Sequence, residues 1–268
     1  MVKNLIISFI YDTYFLLFDR IFLFFSRKKY SENFSKKENP LISIIIATYN
    51  RSSILINRTI PSILNQTYGN FEVIIVGDHC IDDTPALIKK LTDSRIKFHD
   101  LQKRGKYPTD IKDRWFVQGT KPRNKGMQIA RGDWFVFISD DDVLYPNHLE
   151  TLLKAALNLN VEFISASYET VKNGEKKIIY PSIFTKNGHQ AFIGGMQTWM
   201  YKSYLKSFKW NIHSWRKTWN RPVDYDLMLR FLQSGVKMGH IDDVVYFNPP
   251  VEGTNTTGYE AALIADKI

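Results

Sequence analysis

Three adjacent carboxylates, Asp140, Asp141 and Asp142, are the side chains of this sequence that are best suited to chemistry. They follow an apolar run at 134–138, which its aromatic and β-branched residues predict to be a buried strand. Neighbouring carboxylates repel one another and are costly to bury, so we expect a positive partner beside them. Oxygen ligands favour Mg²⁺ or Mn²⁺ over Zn²⁺, and Mg²⁺ is commonly held by carboxylates together with substrate phosphates.

The same aspartates have an alternative role that needs no metal. A helix pattern follows at 146–157, and an aspartate before a helix can cap its first N–H groups and favour its positive end. One aspartate is enough for capping, whereas this segment has three. The cluster therefore favours a metal that holds a phosphate-bearing substrate.

The composition is that of a globular protein with a sizeable core. The 268 residues are enough for one large α/β domain or two small ones. One cysteine, Cys80, excludes a disulfide framework and a multi-cysteine metal site, which suits a reducing compartment. A net charge of +9 suits an anionic surface or substrate, and without a nucleic-acid-binding motif we expect no nucleic acid partner.

The first part of the chain is very apolar but also carries charges. Asp12, Asp19 and Arg20 interrupt the apolar stretch 5–25, which argues against a membrane span. No small-residue cleavage site follows, so a signal peptide is not favoured. The basic residues that follow are Arg27, Lys28, Lys29, Lys36 and Lys37. We predict a helix lying on an anionic membrane, the alternative being a helix packed on the protein or on a second subunit.

Apolar runs alternate with helix patterns after a polar linker at 30–39. The predicted strands are 41–47, 71–76, 95–98 and 133–139. This alternation predicts an α/β fold, with a doubly wound, mostly parallel sheet flanked by helices. Ligands of such sheets bind at the carboxyl ends of the strands. Residues 48–51, Gly77-Asp78 and the three aspartates all fall at predicted strand ends, so we expect them to meet at one edge.

The order of these motifs resembles that of the family-2 glycosyltransferases of GT-A type, over about residues 40–248. The matching segments are Thr48-Tyr49-Asn50-Arg51, Gly77-Asp78, Asp82-Asp83-Thr84, Arg123-Asn124-Lys125-Gly126, Ala130-Arg131-Gly132-Asp133, the DXD-type aspartates at 140–142, and a helix that opens with Val223-Asp224. Gly77, Ser139 and Val223 stand where members of the family usually have acidic residues.

The resemblance implies a metal-dependent, inverting glycosyltransferase with Mn²⁺ or Mg²⁺ as cofactor. The donor would be a nucleotide-sugar, with a UDP-sugar favoured, and the acceptor a hydroxyl of a glycan or lipid-linked glycan in surface polysaccharide synthesis. The expected location is cytoplasmic, peripheral at the inner face of the cell membrane. The expected organisation is a helix and basic linker at 1–38 and a GT-A domain at 39–268. Within that domain, 39–145 would bind the donor and 146–268 the acceptor.

The resemblance also implies roles for individual residues. Those expected to bind the nucleotide-sugar are Thr48, Tyr49, Asn50, Arg51, Asp78, Arg123, Asp140 and Asp141. Asp78 would accept a hydrogen bond from the base, and Arg123 would reach the base or the diphosphate. The metal ligands would be Asp141, Asp142 and, as a weaker candidate, His240, whose alternative is a structural histidine.

Asp224 is the predicted general base, which takes the proton of the acceptor hydroxyl during attack on the anomeric carbon. The alternative for Asp224 is a helix N-cap, and Asp226 is a competitor as base. The acceptor half also has a loop at 194–199 and a possible lid at 251–258. Four tryptophans could stack on sugars or belong to the core: Trp199, Trp210, Trp215 and Trp219.

Two other functions fit part of the pattern. A nucleotidyltransferase would also use such a sheet and acid-bound Mg²⁺, but residues 47–51 lack the glycine-rich phosphate loop of those enzymes. A non-catalytic, membrane-bound glycan-binding relative is the other alternative. The presence of Asp140, Asp141 and Asp224 argues against it.

Overall fold

The computed structural model describes residues 2–34, 37–186, 189–216, 222–251 and 253–265. The helices are α1 (Val2–Phe34), α2 (Ser52–Ile54), α3 (Ile60–Leu64), α4 (Thr84–Ile88), α5 (Ile111–Val117), α6 (Thr120–Ile129), α7 (His148–Asn158), α8 (Val223–Ser234) and α9 (Gly258–Ala265). The strands are β1 (Ile42–Thr48), β2 (Phe71–Gly77), β3 (Ile96–Asp100), β4 (Trp134–Ser139), β5 (Val143–Leu144), β6 (Phe163–Lys172), β7 (Glu175–Ile179), β8 (Ser182–Lys186), β9 (His189–Ile193), β10 (Met200–Lys202) and β11 (Met238–Asn248). A π-helical turn, Leu55–Thr59, joins α2 to α3.

Nine strands form one sheet in the order β3-β2-β1-β4-β10-β6-β11-β5, with β7 paired to β6. Strands β1 to β4 pair in parallel, as do β6 and β11, whereas β10 runs antiparallel to both β4 and β6. Strands β8 and β9 pair only with each other among the described strands. The predicted mostly parallel α/β sheet is therefore confirmed, and it continues across both halves of the domain.

The apolar run of β1 is continuous because both faces of this strand are covered. Ile44 and Ile46 pack in one core cluster with Leu55 and Ile63 from the segment after β1. Ile45 points to the opposite face and joins the cluster that contains Met127 of α6. Parallel strands buried on both faces have this sequence pattern, whereas a half-exposed strand would alternate.

Helix α1 packs on the body of the protein through one face. Leu23 is buried in the core cluster beneath α8. Asp19 forms an ion pair with Arg230 of α8, and Arg27 Nε donates to Glu162 Oε1 over 2.8 Å. One face of α1 therefore packs on the protein, as the alternative interpretation of this helix predicted. The side chain of Asp12 lies outside the described part of the structure.

In the described part of the chain, no helix combines the length and the apolar character that crossing a membrane requires.

The sequence did not predict β10. This strand has three residues and lies between β4 and β6, so it closes the gap between two parallel groups of strands. Strand β11 is the longest of the described strands, with 11 residues from Met238 to Asn248.

Candidate active site

A cavity of about 510 Å³ lies at the carboxyl ends of β1, β2 and β4. This volume is in the range of small-molecule sites. Its lining includes most of the sequence-predicted donor residues, namely Thr48, Tyr49, Arg51, Asp78, Arg123, Asp140 and Asp141, together with the predicted metal ligand Asp142. The polar clusters that follow three separate strands therefore meet at one edge of the sheet.

Hydrogen bonds between side chains and backbone groups hold the acidic cluster at the end of β4. Thr59 Oγ1 donates to the Asp140 carbonyl over 2.9 Å, and Arg58 Nη2 donates to the Asp141 carbonyl over 2.7 Å. Asp142 Oδ2 accepts from the Ser139 N–H over 2.9 Å, which closes the turn after the strand. The π-helical segment after β1 thus fixes where the carboxylates stand.

Arg51 is the positive partner of this cluster. Its Nη1 lies 2.6 Å from Asp141 Oδ2 and 3.6 Å from Asp140 Oδ1. The charge of Arg123 also interacts with Asp140 and Asp142. Burial, reinforced by the charge of Asp141, raises the pKa of Asp140 to about 6 and raises that of Asp142 well above its usual value. The site therefore favours additional positive charge.

The described side chains alone do not form a complete metal-binding site here. Within the described residues, no group of three or more His, Cys, Asp or Glu side chains is gathered closely enough to hold a metal ion. Mg²⁺ sites in phosphate-binding enzymes commonly use one or two carboxylates and complete the shell with substrate oxygens and water. Asp141 and Asp142 line the cavity and fit that smaller role.

His240 is not brought to the aspartates. It lies on β11 opposite Ser165, and the far end of that strand, Asn248, is the part that lines the cavity. Its Nδ1 lies 3.1 Å from the Ser165 carbonyl oxygen, and its Nε2 lies 3.0 Å from Asp242 Oδ1. On the paired strand β6 the same separation is five residues, from Ser165 to Thr170, which corresponds to roughly 17 Å. The structural alternative for His240 fits this geometry, and its assignment as a metal ligand does not.

Asn50 has a positioning role beside the cavity. It adopts a left-handed backbone conformation with φ 53°, which asparagine tolerates better than most residues. Its Oδ1 accepts from the Ile81 N–H over 2.9 Å and so ties the end of β1 to the turn after β2. The structure therefore gives Asn50 a role in holding the turn that carries Asp78.

Asp78 lies at the base of the cavity and is 4 % exposed. Its Oδ1 accepts from the Gly105 N–H over 2.9 Å, and its Oδ2 accepts from the Tyr107 hydroxyl over 2.7 Å. Arg104 lies over the ring of Tyr49, with its guanidinium carbon 3.6 Å from the ring centroid. Sequence reasoning missed Arg104 and Tyr107 as individual residues. The polar, aromatic stretch at 102–121 was the signal, since it is too long for an ordinary connection.

Asp224 lies in the first turn of α8, outside the cavity lining, and interacts with the charge of Arg123, which lines the cavity. Burial raises the pKa of Asp224, against the effect of the Tyr225 N–H, which donates to it over 2.8 Å, and of the Arg123 charge. Burial lowers the pKa of Arg123, against the carboxylate of Asp224. Tyr246 experiences the charges of both Asp142 and Asp224. The predicted base and the acidic cluster therefore share one electrostatic environment.

Asp226 faces a different part of the protein. It is fully buried and lies 3.8 Å from Arg230, which also pairs with Asp19 of α1. This position is on the side of α8 that packs against the N-terminal helix. Of the two acidic residues in the first turn, Asp224 is the one whose surroundings suit the predicted base.

Two of the four tryptophans expected to stack on sugars or to belong to the core are core residues. Trp199 and Trp210 are 0 % and 2 % exposed, and their ring centroids lie 6.3 Å apart. Trp215 is half-buried beside Arg216, and Trp219 lies outside the described residues. Within the predicted lid at 251–258, Val251 and Gly258 line the cavity, while residue 252 lies outside the described residues.

The sheet, its two helical layers and the carboxylates at its strand ends define a glycosyltransferase of GT-A type. The chain belongs to glycosyl transferase family 2, whose family model matches residues 43–217. The family resemblance inferred from the sequence is therefore confirmed.

Two relatives show how far the similarity extends. The UDP-Glc:alpha-D-GlcNAc-diphosphoundecaprenol beta-1,3-glucosyltransferase WfgD of Escherichia coli is 29 % identical over 152 residues, which are 56 % of this chain and 55 % of that protein. The GalNAc(5)-diNAcBac-PP-undecaprenol beta-1,3-glucosyltransferase of Campylobacter jejuni is 33 % identical over 119 residues, which are 44 % of this chain and 35 % of that protein. The chain thus spans about half or less of the length of these curated relatives.

Solved structures confirm the fold. Staphylococcus aureus TarS 1-349 in complex with UDP-GlcNAc matches with a TM-score of 0.58 and 18 % identity, over 80 % of this chain and 60 % of that one. The mannosyltransferase PcManGT from Pyrobaculum calidifontis, in complex with GDP-Man and Mn²⁺, matches with a TM-score of 0.59 and 14 % identity, over 90 % and 70 %. At these identities the likeness shows the fold alone.

Proposed function

We propose that this protein moves a sugar from a nucleoside diphosphate to a hydroxyl of a glycan or lipid-linked glycan, with the help of a divalent metal and with inversion at the anomeric carbon. One observation carries the proposal: the aspartates after β4, Arg51 after β1 and Asp78 after β2 meet around one cavity. Family membership supports glycosyl transfer over the nucleotidyltransferase alternative.

The donor nucleotide fits the part of the cavity at the ends of β1 and β2. Asp78 offers carboxylate oxygens to a ring N–H of the base, and Tyr49 offers an aromatic face for stacking. Thr48 and Arg123 border the same space. UDP is the favoured nucleotide, because WfgD is named for UDP-Glc and the TarS structure holds UDP-GlcNAc.

The diphosphate and a divalent cation fit the acidic part of the cavity. Asp141 and Asp142 are the proposed ligands, and Asp140 borders the ribose and the diphosphate. Bound Mg²⁺ or Mn²⁺ would neutralise the diphosphate and help it to leave. The raised pKa values of Asp140 and Asp142 support this part of the proposal, since burial and the charge of Asp141 disfavour their ionised forms, which a bound cation would stabilise.

Asp224 is the proposed general base. Its carboxylate would take the proton from the acceptor hydroxyl while the hydroxyl oxygen attacks the anomeric carbon from the side opposite the diphosphate. One such displacement inverts the anomeric configuration. The raised pKa makes the carboxylate a stronger base than an exposed aspartate, and the charge of Arg123 opposes part of that rise.

The proposed acceptor is lipid-linked, because the two curated relatives described above are named for diphosphoundecaprenol and PP-undecaprenol acceptors. We place the enzyme at the cytoplasmic face of the cell membrane, in surface polysaccharide synthesis. Helix α1 supports this location through its outer face. The large apolar residues exposed on that face are Ile6, Phe9, Ile10, Tyr14, Leu17, Phe18, Ile21, Phe22, Phe24 and Phe25.

The charge pattern of α1 favours an anionic membrane as the occupant of this apolar face. Asp19 is turned into the protein and neutralised by Arg230, so its carboxylate does not oppose contact with lipid. Lys28 and Lys29 are exposed at the end of the apolar stretch, where they can contact anionic headgroups. The helix therefore presents apolar side chains and positive charge together.

Calorimetric titration tests the proposed donor site. UDP, GDP and dTDP are each titrated into the full chain, with and without Mn²⁺. We expect metal-dependent binding of one nucleotide, UDP, and its loss in Asp141→Asn. Asp113→Asn, which changes an acidic side chain outside the cavity lining, is the matched control. If no nucleotide binds under any condition, the proposal is wrong and the protein is a non-catalytic binding module.

A further inference from the structure

A short segment of the chain already fills the corner of the cavity proposed for the donor base. It comprises Arg104, Gly105, Lys106 and Tyr107 and is called the 104–107 segment here. It supplies two hydrogen bonds to Asp78, from the Gly105 N–H and the Tyr107 hydroxyl. It also places Arg104 over the ring of Tyr49. Two residues proposed to hold the base are thus engaged by one segment of four residues.

These contacts have the chemistry that a nucleotide base would offer. The Tyr107 O–H donates to a carboxylate oxygen, as a ring N–H of a base would. The planar guanidinium of Arg104 stacks on the aromatic face of Tyr49, as a flat heterocycle would. The segment therefore reproduces both an edge interaction and a face interaction of a bound base.

There is little room for a base while the segment is in place. Asp78 is 4 % exposed, so a ring N–H can reach its carboxylate only after a neighbour moves. The guanidinium carbon of Arg104 lies 3.6 Å from the Tyr49 ring centroid, which is direct contact and leaves no space for another ring on that face. Both Arg104 and Tyr107 line the cavity, so they border the space that the rest of the nucleotide would use.

The segment can move without disturbing the sheet. It lies in irregular backbone between β3 and α5, and Arg104 and Lys106 are exposed. Besides Asp78, the Tyr107 hydroxyl interacts with the backbone of Gly119. It also lies near the charge of Arg123. These contacts join the segment to residues that line the cavity and are not part of the strand pairing of the sheet, so they can be released without unpairing a strand.

We propose that the 104–107 segment is an internal occupant of the base corner, which the donor base must displace in order to bind. This inference rests on the proposed donor site at Asp78 and Tyr49. The apparent affinity for the nucleotide is then the intrinsic affinity multiplied by the fraction of molecules in which the corner is open. A segment that is seated in about nine molecules out of ten would weaken binding by about tenfold.

Two variants release the segment by different routes. Tyr107→Phe removes only the hydroxyl that donates to Asp78, and Arg104→Ala removes the group stacked on Tyr49. Lys103→Ala is the matched control, since it removes a neighbouring exposed cation that does not line the cavity. The affinities of UDP and of inorganic pyrophosphate, both with Mn²⁺, are measured by calorimetry for each variant and for the double variant Arg104→Ala/Tyr107→Phe.

The two probes separate displacement from a general change in the site. We expect the double variant to bind UDP several-fold more tightly than the wild-type chain, with pyrophosphate affinity unchanged, because pyrophosphate has no base. UDP binding that is equal or weaker in the variants would overturn the inference and make the segment part of the base site or a bystander. Absence of UDP binding in the wild type and in every variant would instead overturn the donor site itself, and the inference with it.

Discussion

Asp19 of α1 and Arg230 of α8 form a two-pronged ion pair inside the protein. Arg230 Nε donates to Asp19 Oδ2 over 2.7 Å, and its Nη2 donates to Oδ1 over 2.9 Å. The side chain of Arg230 is 5 % exposed, and that of Asp19 is 3 % exposed. The pair joins residues that are 211 positions apart in the sequence. It is therefore a specific link between the N-terminal helix and the glycosyltransferase domain.

We expect Asp19→Ala to destabilise the protein strongly. Removing Asp19 breaks two buried hydrogen bonds of Arg230 and leaves the more distant Asp226 as its acidic neighbour, and breaking a buried ion pair typically costs about 3–5 kcal/mol. Urea unfolding monitored by tryptophan fluorescence measures the loss. Glu175→Ala is the matched control, because Glu175 is exposed and pairs with Lys177 only at the surface, over 3.5 Å. A change below about 0.5 kcal/mol in Asp19→Ala, like that expected for a surface residue, would show that the pair does not stabilise the fold.

The strands near the site were predictable because their signal is local. The runs that became β1, β2 and β4 are mainly apolar, with Ser43 and Glu72 as exceptions, and each is followed by polar residues. Parallel strands bring such ends to one edge, so the meeting of Asp78 with Asp140 followed from pattern alone.

The remaining parts depend on contacts between distant residues. Nothing near Asp19 in the sequence indicates Arg230, and the three residues of β10 are too few to give a strand pattern. His240 was placed at the metal by resemblance, but the register of β11 against Ser165 sets it at the other end of the strand. Tyr107 was recognisable only as part of a long polar segment.

We expect Asp224→Asn to lose transfer while it keeps donor binding. The amide has nearly the shape of the carboxylate but cannot accept the proton, and general base assistance typically contributes about 10²- to 10⁴-fold in rate. Turnover is measured as release of UDP from a UDP-sugar with a glycan acceptor, and binding as UDP affinity. Asp226→Asn is the informative comparison, since Asp226 lies beside Arg230. Normal turnover in Asp224→Asn would assign the base elsewhere.

The acid limb of the pH–rate profile should lie above the ordinary pKa range of an aspartate side chain. Burial raises the pKa of Asp224, and the base is active only when it is ionised, so the rate falls as pH drops through that raised pKa. The charge of Arg123 lowers this pKa. Arg123→Gln should therefore move the acid limb of kcat/KM to higher pH. A limb that stays in place, or moves to lower pH, would contradict the assignment of Asp224 or its coupling to Arg123.

Stability should fall between neutral pH and pH 5 because of His148. This residue is fully buried, and burial lowers its pKa from 6.5 to about 4. The unfolded chain then binds a proton that the folded chain does not, so stability is lost as pH falls below the unfolded pKa. The loss reaches about 2 kcal/mol at pH 5. In His148→Asn the difference in unfolding free energy between pH 7 and pH 5 should shrink by that amount, and an unchanged difference would contradict this prediction.

The outer face of α1 should bind anionic vesicles. The variant Phe18→Ser/Phe22→Ser/Phe25→Ser removes three exposed phenylalanines and leaves the Asp19–Arg230 pair in place. Burying one such side chain typically contributes about 1.5–3 kcal/mol, so even partial insertion of three predicts a loss of binding on the order of 100-fold or more. Co-sedimentation with phosphatidylglycerol-containing vesicles measures the loss, and vesicles of phosphatidylcholine alone test the role of charge.

The control for this variant is Ile81→Ser/Leu157→Ser/Leu159→Ser, which removes three exposed apolar residues elsewhere on the protein. Because the replaced phenylalanines are exposed in the free protein, both variants should keep the thermal stability of the wild type. Unchanged vesicle binding in the α1 variant would exclude this face as the membrane contact. If the variant instead changes the mass of the protein in solution from dimer to monomer, the apolar face of α1 covers a second copy of the chain. The two outcomes are separable because vesicle binding depends on anionic lipid, whereas pairing of two copies depends on protein concentration.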